Sequence, residues 1–177
     1  MWDPTRYSTL AEYVSAARAY PGDIVEMLEW ATVEADIPYA TFIETMINER
    51  ILDVNRFDHW KSDDDCKTTL LLSALESRST DNVRLLLSLG ADVNIENERG
   101  YGVIDTVLVG HRASDLRYPE DCVALLKIVM PFNPPLKIDK TIAEELRMTD
   151  SSIESKHWSR YKKSNELMSI LAPILKK

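Results

Sequence analysis

The feature that most restricts this chain is a recurring helix ending. In "VRLLLSLGADVNIENERG", an apolar helical segment stops at Gly90, and a polar stretch then runs to Gly100. Gly90 suits the left-handed position just past a helix. Asp92 and Asn94 suit a turn in which short polar side chains bond nearby backbone. "ILDVNRFD" repeats the Asp-Val-Asn earlier, and "IVMPFNPP" places an asparagine after the apolar run "CVALLKI". Asn55, Asn94 and Asn133 therefore fall at equal intervals of 39 residues. Helical units at a fixed interval cannot each bury an apolar face alone, so they stack on their neighbours.

The stretch "KTTLLLSALESRSTDNVRLLLSLGADVN", Lys67 to Asn94, resembles the ankyrin family. Thr68-Thr69-Leu70-Leu71 stands for the Thr-Pro-Leu-His opening of the first helix, and Ser73-Ala74 for the small pair that lets helices approach. Val83 to Leu89 stands for the second helix, and Gly90 to Asn94 for the Gly-Ala-Asp-Val-Asn ending. Degenerate openings follow at Gly102-Val103-Ile104-Asp105 and Thr141-Ile142-Ala143-Glu144. Ankyrin units run about 33 residues, so each interval carries an excess. The first falls mainly in "RFDHWKSDDDC", with one residue near Ser77 to Thr80, and the second in "HRASDLRYPED". The expected fold is all-α: an ankyrin-like stack of about four helix pairs, over 20–55, 58–94, 97–133 and 136–177, preceded by a helix over Ser8–Ala19. Residues 1–177 form one domain, in which 1–55 is a degenerate N-terminal cap, 58–133 the central repeats and 136–177 the C-terminal cap. Val25, Leu28 and Trp30 in the first pair read as core.

At 177 residues such an array can bury roughly 70% of its unfolded surface without a covalent staple. Its 45% apolar and 28% charged residues are those of a folded, water-compatible chain. The first residues lack the basic and apolar regions of a secretory signal, and no run is long enough to span a bilayer. Cys66 and Cys122 have no CxxC spacing, so a reducing cytoplasm is the expected compartment. The net charge of -8 is uneven: residues 1–65 carry 14 acids and 5 bases, whereas 66–177 carry 15 acids and 16 bases. An acidic first third argues against direct nucleic-acid binding, which needs clustered Lys/Arg, and the basic stretch from Lys156 to Lys177 is a local exception.

Little in the sequence points to chemistry. Asp63-Asp64-Asp65-Cys66 lacks the alternating oxygens, central glycine and final glutamate of a calcium loop. His59, His111 and His157 are isolated from the close Cys/His pairs that zinc requires. Three aspartates before Cys66 oppose the electropositive setting that activates a thiolate. Cys122 opens an apolar helix and reads as core. Gly100-Tyr101-Gly102 lacks the remainder of a phosphate-binding loop. Glu96/Glu98 and Glu144/Glu145 read as solvated faces rather than acid/base pairs. No catalytic residue, metal or cofactor is expected, and the chain is expected not to be an enzyme.

What remains is surface. In ankyrin proteins the turn tips and inner helix faces form a concave binding surface, and that resemblance implies Asp64, Asp65, Lys67, Leu75 and Glu76 in the clear repeat. Glu98, Arg99 and Tyr101 are the matching positions in the next. Trp60 and Asp63 lie in the enlarged turn, where an aromatic ringed by charge fits an interface hot spot. The expectation is a non-enzymatic protein-binding module, an inhibitor or immunity protein whose acidic surface steers a basic enzyme or toxin into place. The alternative is a viral or bacterial host-interaction adaptor that recruits a second protein through its basic C-terminal helix.

Overall fold

A computed structural model describes residues 3–58, 66–109, 119–147 and 164–176. The described residues are all-α, and nine α-helices appear among them. Helix α1 (Leu10–Ala19) starts at Thr9, whose hydroxyl accepts from Glu12 N–H while the Glu12 carboxylate accepts from Thr9 N–H. This reciprocal cap satisfies donors that the first turn leaves open. Helices α2 (Ile24–Val33) and α3 (Tyr39–Asn48) complete an N-terminal group in which all three pack on one another. Leu28 is buried there, and Val25 and Trp30 are partly buried against the same core.

Helices α4 (Leu70–Glu76) and α5 (Thr80–Ser88) form the next pair, followed by α6 (Val103–Val109) and α7 (Pro119–Val129). First helices lie in one layer and second helices in another: α4 packs on α6, α5 on α7, and each pair packs internally. Helix α8 (Lys140–Arg147) follows, and the last helix, α9 (Asn165–Leu175), packs on α7. One continuous apolar core runs from Tyr13 through Leu75, Leu86 and Leu126 to Ile174. Adjacent layers bury one another's apolar stripes, which is how short helices of seven to eleven residues persist.

The chain turns corners by placing a residue in the left-handed region after a helix. Gly90 does so at φ +89, and Ala91 N–H reaches back to Leu86 C=O at 2.9 Å, a Schellman ending. With only five glycines available, Asp36, Arg50, Arg78 and Asn133 take the same conformation elsewhere.

Caps set two helix starts. Thr69, within the Thr68-Thr69-Leu70-Leu71 opening, caps α4, because its hydroxyl accepts from Leu72 N–H and its C=O from Ser73 N–H. Likewise α8 opens at Asp139, two residues before Thr141, since the Asp139 carboxylate accepts from Thr141 N–H at 2.9 Å. In both cases the first good acceptor for an open helix N–H sets the boundary. Gly102 does precede α6 as expected, with Asp105 Oδ2 accepting from Gly102 N–H.

Candidate protein-binding face

The segments between helix pairs are braced first from within. Asn55 N–H donates to Asp53 Oδ1 at 2.9 Å, and Asn94 N–H donates to Asp92 Oδ1 at the same distance. Asn97 Oδ1 accepts from both Arg99 N–H and Tyr101 N–H, at 2.9 and 3.0 Å. Each carboxylate or amide thus holds the backbone two to four residues ahead, which fixes the turn.

Neighbouring segments are then tied together. Asp58 and Thr68 exchange backbone hydrogen bonds of 3.0 and 2.8 Å, closing the base of the enlarged turn. Asp92 N–H donates to Asn55 Oδ1 at 2.8 Å, joining the two Asp-Val-Asn turns. Lys67 N–H donates to Glu98 Oε2 at 3.0 Å, while Glu98 N–H donates to Lys67 C=O at 3.1 Å. Further along, Lys137 Nζ meets Glu96 Oε1 at 2.7 Å, and Asp139 N–H donates to Asp105 Oδ1 at 2.7 Å. The turns therefore follow one another in a connected row.

This row gathers Lys67, Glu98, Arg99 and Tyr101, with Lys67, Glu98 and Arg99 exposed and Tyr101 half-buried. Glu98 differs in role from a bare surface charge, since its carboxylate is spent on the Lys67 backbone. Leu75 does not belong to the face. It is 0% exposed, packed inside the α4 layer, so it shapes the row from beneath and touches no partner. Glu76 is half-buried at the end of α4. Trp60, Asp63, Asp64 and Asp65 lie outside the described residues, as do His59, His111 and His157.

Four residues of the row are not among the expected binding residues: Glu96 reads in sequence as a solvated charge, Asp105 as part of a degenerate helix opening, and Asn97 and Lys137 carry no reading. Asn97 was legible in principle, since Asn-Glu-Arg-Gly is turn chemistry. Asp105 is buried at 2% exposure. Burial pushes its carboxyl above the usual carboxylate range, against the pull of the Asp139 and Gly102 N–H groups. Lys137 shifts upward because it donates to Glu96.

For chemistry the inventory is sparse. Among the described residues no three His, Cys, Asp or Glu side chains come together as a metal-binding group. Cys66 and Cys122 are both buried thiols that form no disulfide. The Cys122 thiol donates to Val107 C=O at 3.4 Å and faces Arg78 Nη1 at 3.6 Å. A cleft of about 400 Å³, which shares Lys137 with the row, opens beside Leu136, Ile138, Lys140, Ala143, Glu144 and Ile174. No helix among the described residues is long and apolar enough to cross a membrane. Comparison of the chain with protein-family models, with curated proteins and with solved structures returns no match.

Proposed function

We propose that the chain is a non-enzymatic protein-binding module of ankyrin-like build, which holds a basic partner protein against its row of turns. The observation that carries this reading is the set of ties from turn to turn: Asn55 to Asp92, Lys67 to Glu98, and Glu96 to Lys137. They hold charged and aromatic side chains from consecutive units in fixed relative positions before any partner arrives. A preorganised surface loses little conformational freedom on binding, and stacked repeats present such surfaces over an extended length.

The acidic first third gives the partner its sign. A balance of fourteen acids to five bases in residues 1–65 steers a cationic protein and accelerates its association at low salt. Inhibition of a basic enzyme, of the kind an immunity protein performs, fits that arrangement. In sequence, Trp60 and the Asp63-Asp64-Asp65 run lie between Asp58 and Lys67, and Tyr101 lies in the turn before α6.

Affinity capture from the source cell at about 50 and about 300 mM salt tests the reading, since screening lengths shorten across that range. The wild type, Asp63/Asp64/Asp65→Asn and Tyr101→Ala are compared by mass spectrometry. The expected capture is a basic protein, weakened by salt and by both variants. A partner held equally by all three forms would remove the row of turns from the interface.

A further inference from the structure

We propose that Arg56 straps the three N-terminal helices to the rest of the stack, and that α1, α2 and α3 come away as one unit when this strap is cut. The inference concerns a junction between helix groups and does not rest on the function proposed above. Helix packing is uneven along the chain. Helices α1, α2 and α3 pack on one another, and α4, α5, α6 and α7 do the same. Among the described residues, no helix of the first set packs on a helix of the second as broadly as each set packs within itself. The core continues across the junction in the connecting segment, where Leu52 and Val54 are buried.

The N-terminal group has an interior of its own. Tyr13 and Phe42 meet edge to face with ring centres 6.1 Å apart, and Met27, Ile43 and Met46 are fully buried. Across the junction, Arg56 reaches back 35 residues, its Nη1 donating to Pro21 C=O just before α2 at 2.7 Å. Its Nε donates to Asp58 Oδ2 at 2.9 Å, and its Nη2 lies 2.6 Å from the same oxygen. Asp58 is held in turn by backbone bonds in both directions with Thr68, one residue before the cap of α4. One planar cation thus links the entry of α2 to the entry of α4. In a stacked array each unit is held by its own packing and by its contact with the next, so the narrowest junction opens first. A segment of roughly fifty residues buries too little surface to persist alone, which makes release and unfolding one event. The nine acids and three bases of residues 1–50 add self-repulsion to the same unit.

Hydrogen exchange of the full chain, followed by mass spectrometry at rising urea below the unfolding transition, reads the junction. In the wild type the amides of α1, α2 and α3 are expected to share one opening step, at least about tenfold more frequent than that of α5 and α7. Arg56→Gln removes the cation, and opening of α1, α2 and α3 should become about tenfold more frequent still, as for loss of one hydrogen bond from a charged donor. Arg56→Lys reaches Pro21 C=O or Asp58 but not both, so it should fall between; it carries the comparison should the glutamine variant not fold. Val83→Ala, at a fully buried position of α5, is the converse control. It should make opening of α5 and α7 more frequent and leave that of α1, α2 and α3 unchanged, because their release keeps the stack intact. A wild type in which all these helices open together overturns the proposal. So does an Arg56 variant that leaves α1, α2 and α3 unchanged, or a Val83→Ala effect spread equally over both groups.

Discussion

Replacing Asp105 tests the link between burial and charge most directly. Its two oxygens accept from Asp139 N–H at 2.7 Å and Gly102 N–H at 3.3 Å, so one side chain caps α6 and holds the chain entering α8. In Asp105→Ala the short bond to an ionised acceptor is worth about 2 kcal/mol and the longer one about 0.5 kcal/mol. Relief of the buried charge returns about 1 kcal/mol. The net loss is about 1.5 kcal/mol, or a fall in Tm of roughly 3–6 °C for a chain of this size. Asp105→Asn keeps one acceptor without the charge and should lose less than about 1 kcal/mol. The pH dependence has a fixed sign. The folded carboxyl is raised above its ordinary value by burial. The native state therefore holds the proton more tightly than the unfolded state. Stability from this group is fully present below the unfolded value and is lost as pH rises through the folded one. Urea titrations from pH 3.5 to 8 should show wild-type stability falling relative to Asp105→Asn across that window, then running parallel. A difference that grows with pH, or an alanine variant as stable as the wild type, would refute the account.

Two further outcomes follow from packing and from the turn row. Leu75→Ala removes a fully buried side chain from the α4 layer and should destabilise by roughly 2–5 kcal/mol, with the urea midpoint falling at an unchanged slope. Asn55→Ala deletes the acceptor for Asp92 N–H and should cost about 1 kcal/mol, more than Asn94→Ala, as measured by urea unfolding. The ordering has a covalent reason: the position that stands to Asn94 as Asp92 stands to Asn55 is Pro131, which has no N–H to donate.

Local features were legible where local physics decides them. Gly90 ends its helix in the left-handed region, Asp92 and Asn94 make a turn, and the helix expected over Ser8–Ala19 forms as Leu10–Ala19, all within a few residues of chain. The intervals between Asn55, Asn94 and Asn133 located the helix pairs, since periodicity survives when individual residues degenerate. What failed depended on facing partners. Leu75 reads as an inner-face residue by position, yet the packing of α4 on α5 and α6 leaves it no surface. Glu98 reads as a solvated charge, but Lys67 N–H, 31 residues away, claims its carboxylate. Asp105 reads only as part of a degenerate helix opening, and it takes donors from Gly102 and Asp139 to hold it inside.

The bond from Asp92 to Asn55 also determines where such a chain can lengthen. A tandem duplicate of residues 56–94 would offer Asn94 of the first copy an aspartate N–H in the second, so the contact that joins these turns would simply be made twice. In the unit already present after Asn94 the matching position is Pro131, so that junction lacks the bond. Growth by internal duplication is therefore open to this architecture at the Asn55 junction, where both the acceptor and the donor are in place.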